Sequence, residues 1–361
     1  MSADTARTAS NSFTATRLPR LIELYTALGA LAVSGIVIAL IGWTTTGFLV
    51  LAAALYLMLT GVVSGVVENR RKAVDRLVRG LVTVAFLLAL APLVSTLYEV
   101  IVRGWQALDW NFIFTTGGTI IDPATMKITN TIGAWQAVIG TLEITGMATL
   151  ISVPIGILTA VFLVEYSPPG HWMSRTVTFL VDVMTGIPSI VAGLFAFALF
   201  TLVVGPKAFS GFSASIALCV LMIPTVVRSS EEMLKLVSPE LREASYALGV
   251  TKFTTIVRIV LRTAIAGLIT GVMLAIARVI GETAPIFIAA SFTNNFNGDL
   301  FSGAMQTLPV MAYTGYKFPS SDIPASLQSA WGAALLLVIL VVILNLIARL
   351  IAWAFKPKGL Q

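Results

Sequence analysis

The stretch at residues 229–264, "SSEEMLKLVSPELREASYALGVTKFTTIVRIVLRTA", lies between two apolar segments and carries most of the signals that decide the fold. Ser238 is a favourable N-cap, and Pro239 suits the first position of a helix. Gly249 is a typical helix stop, because glycine adopts the left-handed conformation without strain. Thr251 can cap a second helix that begins with "KFTTIVRIVLRTA". The pattern therefore predicts a helix, a glycine corner and a second helix.

The predicted first helix has charge on its outer face. Glu240 and Glu243 fall in its first turn, where the helix dipole favours negative charge. Two interpretations remain open from the pattern alone. The segment is either an ordinary amphipathic loop helix on a membrane surface, or a short helix presented to the groove of a partner protein.

The composition is that of a protein with many membrane spans. Apolar residues make up 57% of the chain and charged residues 11%, and the mean hydropathy is +0.93. Soluble domains have about 45–50% apolar and about 25% charged residues. The single cysteine, Cys219, excludes an internal disulfide, and the single histidine, His171, excludes a His/Cys metal cluster. The chain is predicted to be an all-α polytopic membrane protein.

Apolar segments long enough to cross a bilayer recur along the chain. A spanning helix needs about 20 predominantly apolar residues. About eight transmembrane helices are predicted, near residues 21–43, 47–67, 80–102, 136–164, 176–204, 213–230, 263–290 and 327–355.

The distribution of lysine and arginine predicts the orientation. With the N-terminus inside, 18 of the 23 basic residues fall in inside segments and 4 in outside segments, while Arg278 lies within a span. Such a bias predicts that both termini are cytoplasmic. The net charge of +6 then faces anionic lipid and does not indicate a nucleic-acid partner.

Three regions are predicted along the chain. Residues 1–20 are polar and predicted to be a cytoplasmic tail, and 21–135 hold N-terminal transmembrane helices and an external loop. Residues 136–355 form the main transmembrane domain, with a cytoplasmic hairpin at 231–262. The external loop at 291–326 is rich in Gly, Pro, Asn and aromatic residues, which fits either an ordered docking surface or a flexible connection.

A second informative stretch, "LAIARVIGETAPIFIAA" at residues 274–290, places charge inside a predicted span. On a continuous helix Arg278 and Glu282 would share one face. Each charge near the bilayer centre costs about 2.5–3.5 kcal/mol, whereas an exposed pair at this spacing returns only about 0.3–0.5 kcal/mol. Thr283 adds a hydroxyl, and Pro285 is predicted to kink the helix. The pair is either a structural bridge between packed helices or part of a substrate pathway.

The chemistry of the pathway interpretation favours an anion. The guanidinium of Arg278 offers paired donors that match a tetrahedral oxyanion, and Glu282 would limit the strength of binding. These residues alone fit phosphate, sulfate or a zwitterion. Glu143 and Asp182 also lie in predicted spans, where each either contributes to the pathway or pairs locally near the interface.

The hairpin resembles a cytoplasmic motif of ABC importer permeases, E-A-A, three residues, G, nine residues, I-x-L-P. The matching residues here are Glu243, Ala244, Ser245, Gly249, Ile259 and Leu261. Ser245 replaces the second alanine, and Arg262 replaces the proline. The resemblance implies a coupling helix that contacts an ATPase through Glu240, Glu243, Ala244, Ser245 and Gly249.

Three stretches also resemble the A-type permease of the phosphate-specific (Pst) ABC importers. They are "SIVAGLFAF" at 189–197, "IPTVVRSSEEMLKLVSPELREASYALG" at 223–249 and "ARVIGETAP" at 277–285. The resemblance covers roughly residues 136–355 and implies a type I (MetI-like) permease core. It further implies that Arg278 and Glu282 take part in phosphate passage.

The resemblance also implies a set of partners in a bacterial plasma (inner) membrane. They are a homologous PstC-type permease subunit, two ATPase subunits that bind ATP and Mg, and an external phosphate-binding protein. The chain contains no G-x-x-x-x-G-K-[ST] motif, so it is predicted to hold no cofactor and to be no enzyme itself. The alternatives are an ion-coupled secondary transporter, an ABC permease for another oxyanion, and a membrane-embedded enzyme. The last lacks a His/Asp/Glu metal set or a Ser/His pair at helical spacing.

Overall fold

The computed structural model describes residues 21–42, 44–68, 70–121, 128–168, 170–205, 209–320 and 322–354. The predicted cytoplasmic tail at 1–20 lies outside these residues. So do Lys127, Lys207, Lys356 and Lys358, which entered the charge count.

The described chain is helical apart from one short β-hairpin, the connecting turns and an irregular segment between α12 and α13. The helices are α1 Ile22–Ile41, α2 Thr45–Val67, α3 Arg70–Trp105, α4 Trp110–Phe114, α5 Trp135–Val161, α6 Trp172–Gly186, α7 Ser189–Val204, α8 Gly211–Lys235, α9 Pro239–Ala247, α10 Lys252–Thr255, α11 Leu261–Val279, α12 Ala284–Ala290, α13 Leu308–Lys317 and α14 Ile323–Ala354. The strands are β1 Thr116–Ile121 and β2 Ile128–Ala134. A π-helical turn at Phe162–Tyr166 extends α5, and another at Ile256–Val260 joins α10 to α11.

The predicted fold class is confirmed. Seven described helices are long and apolar enough to cross a membrane, and the number is eight when the bent pair α6–α7 is counted as one span. The predicted span at 176–204 is a bent pair of helices, because α6 and α7 meet at an angle of 106°. The break falls at Ile187 and Pro188, and a residue that precedes proline is disfavoured in the α conformation.

The predicted span at 263–290 is divided into two helices. The helix α11 ends at Val279, and α12 begins at Ala284. Gly281 is a poor helix former, and Pro285 has no amide hydrogen to donate to the carbonyl four residues before it. Pro285 instead occupies the first turn of α12, where a missing donor costs nothing. The break replaces the predicted kink.

The chain divides into two compact units after Tyr98, and the first contains α1, α2 and most of α3. Small polar side chains lie between α1 and α2, where the hydroxyls of Thr26 and Thr60 are 3.3 Å apart. Ser34 and Ser64 are also buried on this surface. Small residues let spanning helices approach closely, and the large apolar side chains of the unit are left on its outside.

An ionic cluster fastens one end of this first unit. Arg76 on α3 contacts Glu68 at 3.0 Å and Glu23 on α1 at 3.7 Å. Arg79 lies 3.4 Å from Glu23 and 3.4 Å from Asp75. The cluster therefore links the first turn of α1 to the beginning of α3.

The second unit is built on the packing of α5 against α8. The most buried of the long apolar helices is α8. Gly156 on α5 allows the contact, because a Cβ there would lie 2.6 Å from the Cγ1 atom of Val226. Ser215 on α8 donates to the carbonyl of Ile144 at 3.1 Å. Leu218 and Met222 continue the buried face of α8 into the main apolar cluster.

The β-hairpin was not predicted. Its strands β1 and β2 pair antiparallel, and Gln136 on α5 holds them. The side chain of Gln136 accepts from the amide of Gly117 at 2.9 Å and donates to the carbonyl of Gly133 at 3.0 Å. It also donates to Gln306 at 3.3 Å, which ties the hairpin to the segment before α13.

The segment after α12 packs against the rest of its unit, and its role as a docking surface stays a prediction. The amide of Met305 donates to the carbonyl of Ala290 at 3.2 Å. The amide of Leu308 donates to the hydroxyl of Thr141 on α5 at 2.8 Å. Residues 305–308 are buried, so the segment packs into the second unit.

The division into compact units does not coincide with the predicted boundary near residue 135. Residues from Glu99 onward belong to the second unit. Gly104 packs closely on Trp331 and Leu335 of α14. Phe112 of α4 joins an apolar cluster with Leu308.

We expect Gly193→Ala to lower the thermal unfolding temperature of the purified protein. A Cβ at Gly193 on α7 would lie 2.6 Å from the Cα atom and 3.0 Å from the carbonyl oxygen of Pro285. Overpacking of this kind costs about 1–3 kcal/mol. The matched control is Gly146→Ala on α5, where a Cβ meets nothing within 4 Å. Alanine favours a helix by about 1 kcal/mol over glycine, so an unfolding temperature at or above the unmodified value for Gly193→Ala would contradict the packing.

Candidate functional site

The break between α11 and α12 places three polar residues, Arg278, Glu282 and Thr283, at the end of a spanning helix. The amide of Glu282 donates to the carbonyl of Val279 at 3.1 Å, and the amide of Phe287 donates to that of Thr283 at 2.9 Å. Between these bonds the chain leaves the helix. Arg278 therefore lies in the last turn of α11 and Glu282 in the turn beyond it. The expectation that both side chains share one helix face is wrong.

The side chain of Arg278 is exposed in this chain and carries one hydrogen bond. Its Nη1 donates to the hydroxyl of Thr225 on α8 at 3.3 Å. No acidic side chain of the described residues, Glu282 included, lies within ion-pair distance of it. Within the described chain the two charges therefore do not bridge to each other. The guanidinium keeps most of its donors for another acceptor.

A row of polar residues on α8 leads away from Arg278. Thr225, Arg228, Glu231 and Lys235 follow each other at helical spacing on one face, and we call them the α8 polar row. Arg228 binds Asp182 on α6 and Glu231, the latter at 2.9 Å. Lys235 contacts Glu231 at 2.7 Å. Asp182 thus pairs locally, which was one of its two predicted roles.

Glu143 on α5 is half-buried. One of its carboxylate oxygens is buried and has no hydrogen-bond partner among the residues that the structure describes. Among the described residues, Glu143 makes no hydrogen bond or ion pair with Arg278 or the α8 polar row. No group of three or more His, Cys, Asp or Glu side chains in the described part of the chain could hold a metal ion.

The predicted hairpin is confirmed in its main features. The hydroxyl of Ser238 accepts from the amide of Glu240 at 3.2 Å, and Pro239 begins α9. Gly249 has a φ of +73°, as the glycine corner requires. Thr251 occupies the N-cap position of α10, but its hydroxyl pairs with the hydroxyl of Thr254 at 2.9 Å and caps no amide. The expected side-chain cap at Thr251 is therefore wrong.

The helix α9 has an exposed face and an inward face. Glu240, Glu243 and Ala244 are exposed. Leu241 and Leu248 are exposed beside them, so this face is both acidic and apolar. Ser245 points inward, where its hydroxyl lies 2.8 Å from that of Thr255 on α10. A small residue is needed there because Ser245 is only 3% exposed.

Arg242 was missed by the sequence analysis. Its Nε and Nη2 atoms contact one oxygen of Glu165 at 3.0 and 2.7 Å. Its Nη1 donates to the carbonyl of Val237 at 2.6 Å, and Nη2 also donates to that of Leu234 at 3.0 Å. The sequence gives one indication of this role, which is that Arg242 is a basic residue between Glu240 and Glu243 of the acidic face.

The second arm of the hairpin continues directly into the helix that carries Arg278. The residues from Lys252 to Val279 form one helical span with a π turn inside it. Arg262 stands where the motif has proline, so the backbone keeps its hydrogen-bond donor and the helix continues. One end of this helix is the corner at Gly249, and the other end is the break beside Arg278.

The sequence from residue 152 to residue 358 matches the family described as "Binding-protein-dependent transport system inner membrane component". This match covers more than half of the chain. With its long apolar helices, the chain belongs to this family of multi-pass inner-membrane transport components.

Its relatives define the group within the family. The chain is 46% identical over 267 residues to "Phosphate transport system permease protein PstA 1" of Mycobacterium tuberculosis (strain CDC 1551 / Oshkosh), which covers 74% of this chain and 84% of that protein. It is 35% identical over 280 residues to the PstA protein of Haemophilus influenzae, with 78% of this chain and 94% of that protein covered. The chain is a PstA-type ABC permease.

A solved structure with a similar arrangement belongs to the MetNI methionine ABC transporter in an inward facing conformation. The TM-score is 0.48 at 23% identity, and the match covers 62% of this chain and 95% of that one.

We expect a cysteine at position 278 to react with a charged, water-soluble thiol reagent in the Cys219→Ser background. Arg278 is exposed, whereas the neighbouring Val279 is fully buried and supplies the matched Val279→Cys control. The measurement is the extent of labelling of the assembled protein in membranes that are accessible to the reagent from both sides. Labelling of Arg278→Cys by a membrane-soluble reagent alone would place this face of α11 against lipid and contradict the site.

Proposed function

We propose that this chain is the permease subunit of an ATP-driven phosphate importer and that it forms half of the translocation pathway. The observation that carries the proposal is the exposed guanidinium of Arg278 at a break in a spanning helix. Its planar set of donors fits a phosphate oxyanion, and no acidic side chain of the described chain neutralises it within ion-pair distance. The similarity to proteins named phosphate transport system permeases supports the same substrate.

The break itself suits a pathway. Irregular backbone is tolerated at membrane depth where it lines a water-filled cavity. Thr225 adds a hydroxyl that contacts the guanidinium directly. Thr283 adds a second hydroxyl a few residues further along the chain. Glu282 lies just beyond the end of α11, and its negative charge limits how strongly the positive site holds an anion, so that the anion can leave.

The orientation follows from the charge distribution. We propose that both termini and the α9–α10 hairpin are cytoplasmic, since 18 basic residues fall in the segments on that side against 4 on the other. The β-hairpin and the segment between α12 and α14 then face outward. The α8 polar row runs from the middle of the membrane toward the cytoplasm.

The remaining parts of the importer are separate chains in this proposal. A PstC-type permease supplies the other half of the pathway, two ATPase subunits bind ATP and Mg, and an external protein delivers phosphate. The exposed acidic and apolar face of α9 fits a helix that lies in a groove of the ATPase. Hydrolysis is left to the ATPases, because the chain has no phosphate-binding loop motif.

We expect substitutions at Arg278 to reduce phosphate uptake while the complex still assembles. Arg278→Lys keeps the charge and loses the planar fork, so the loss of one charged hydrogen bond of about 1.5 kcal/mol lowers uptake about tenfold. Arg278→Leu abolishes uptake. Glu282→Gln increases retention of the anion and slows release. The measurement is uptake of radiolabelled phosphate by cells that express the complete complex, with the yield of the complex as a check.

The matched control is Arg349→Leu, which removes an exposed arginine of α14. Unmodified uptake in Arg278→Leu would reject the pathway role. Competition with sulfate separates the substrates, because uptake of sulfate in place of phosphate would reject the phosphate assignment and keep the permease.

We expect Gly249→Val to release the ATPase subunits from the complex. A β-branched residue is strained at a φ of +73°, and space is not the cause, since a Cβ there meets nothing within 4 Å. Gly249→Asn is the matched control, because asparagine tolerates the left-handed conformation. Glu243→Lys should have the same effect as Gly249→Val by reversing a charge on the exposed face. The measurement is co-purification of the ATPase, and normal binding with normal uptake in Gly249→Val and Glu243→Lys would contradict the coupling role.

A further inference from the structure

The π-helical turn at the end of α5 contacts both arms of the hairpin. Glu165 in this turn binds Arg242 of α9. The next residue, Tyr166, lies under the ammonium group of Lys252 at the start of α10, 5.0 Å from the ring centroid. An inserted turn of this kind is uncommon and occurs often at functional positions. The end of α5 is therefore the place where the membrane helices hold the hairpin.

The contact between Arg242 and Glu165 is shaped to be rigid. The Arg242 side chain is 16% exposed and the Glu165 side chain 5%. The same guanidinium donates to the carbonyl of Leu234 in the last turn of α8 and to that of Val237 just beyond it. One planar group thus joins α9, the end of α8 and the end of α5. The Arg242 guanidinium makes four hydrogen bonds in a largely buried site, and these bonds fix its position. An apolar contact would allow the two helices to slide past each other.

The surroundings of this contact support the same link. Ser245 and Thr255 join α9 to α10 through their hydroxyls, so that the two arms move together. Val161 of α5, Ile256 and Val260 share one buried apolar cluster. Toward its other end, α5 bonds the amide of Leu308 through Thr141. A displacement of the hairpin can therefore be carried along the whole length of α5.

We propose that Arg242 and Glu165 are a positioning pair that transmits movement of the hairpin to α5, as a second route beside the continuous helix from Lys252 to Val279. The proposal rests on the proposed function, in which ATPases move the hairpin. Stability alone does not explain the pair, because apolar residues of similar volume often stabilise a buried site equally well. A rigid link between the hairpin and α5 explains why the charges are present.

The test is the amount of phosphate transported per ATP hydrolysed by the complete complex with its binding protein in proteoliposomes. The variants are Arg242→Met and Glu165→Gln, and the matched control is Arg258→Met. Arg258 belongs to the same hairpin, is exposed, and has no hydrogen bond or ion pair among the described residues. We expect the amount of phosphate transported per ATP hydrolysed to fall about tenfold in both variants, which is the size of a typical energetic coupling between two sites. ATP hydrolysis should remain near the unmodified rate, and Arg242→Lys should give an intermediate ratio.

An unchanged ratio in Arg242→Met and Glu165→Gln, while the unmodified complex transports phosphate, would overturn the positioning role and leave the proposed function standing. Loss of assembly in both variants, or a proportional fall in transport and hydrolysis, would show a structural pair and also overturn it. An unmodified complex that hydrolyses ATP and transports no phosphate would reject the proposed function and, with it, the inference that rests on it.

Discussion

The continuous helix from Lys252 to Val279 is the element on which the rest of the structure depends. At about 1.5 Å per residue it extends for about 40 Å. One of its ends forms the hairpin corner with α9, and the other ends beside Arg278. Because a helix is stiff along its axis, its two ends cannot move independently. The hairpin corner beside α9 and the polar break are therefore connected by one helical span.

The frame around this helix is set by close packing where small residues allow it. Gly156 lets α5 approach Val226 of α8, and Gly193 lets α7 approach Pro285 of α12. The short helix α12 is thereby held in place although the backbone before it is irregular. Unpaired backbone groups are costly at membrane depth, so such a break persists only where packing or a cavity supports it.

Local signals in the sequence were sufficient for the hairpin and for the number of spans. Ser238, Pro239 and Gly249 act through their own backbone conformations, so their roles could be predicted without the tertiary structure. The break after Val279 was missed because the spacing of Arg278 and Glu282 was interpreted on a continuous helix. Gly281 and Pro285 already marked the break.

Other features depended on contacts between distant parts of the chain. Arg242 and Glu165 are 77 residues apart, and the sequence around either one does not predict that they pair. The β-hairpin depends on Gln136, whose bonds to Gly117 and Gln306 reach across 19 and 170 residues. The inward position of Ser245 also needed the structure, since the motif alone placed it with the exposed coupling residues.

The central claim is that the polar break beside Arg278 is part of the phosphate pathway. The most direct measurement is phosphate uptake by a complex that carries Arg278→Leu and Glu282→Leu together, with its assembly checked in the same preparation. Removing both charges relieves the cost of placing them in the membrane, so the complex should assemble at least as well as the unmodified one. The account predicts that it transports no phosphate, because the anion has lost its donor. Uptake at the unmodified rate would contradict the claim.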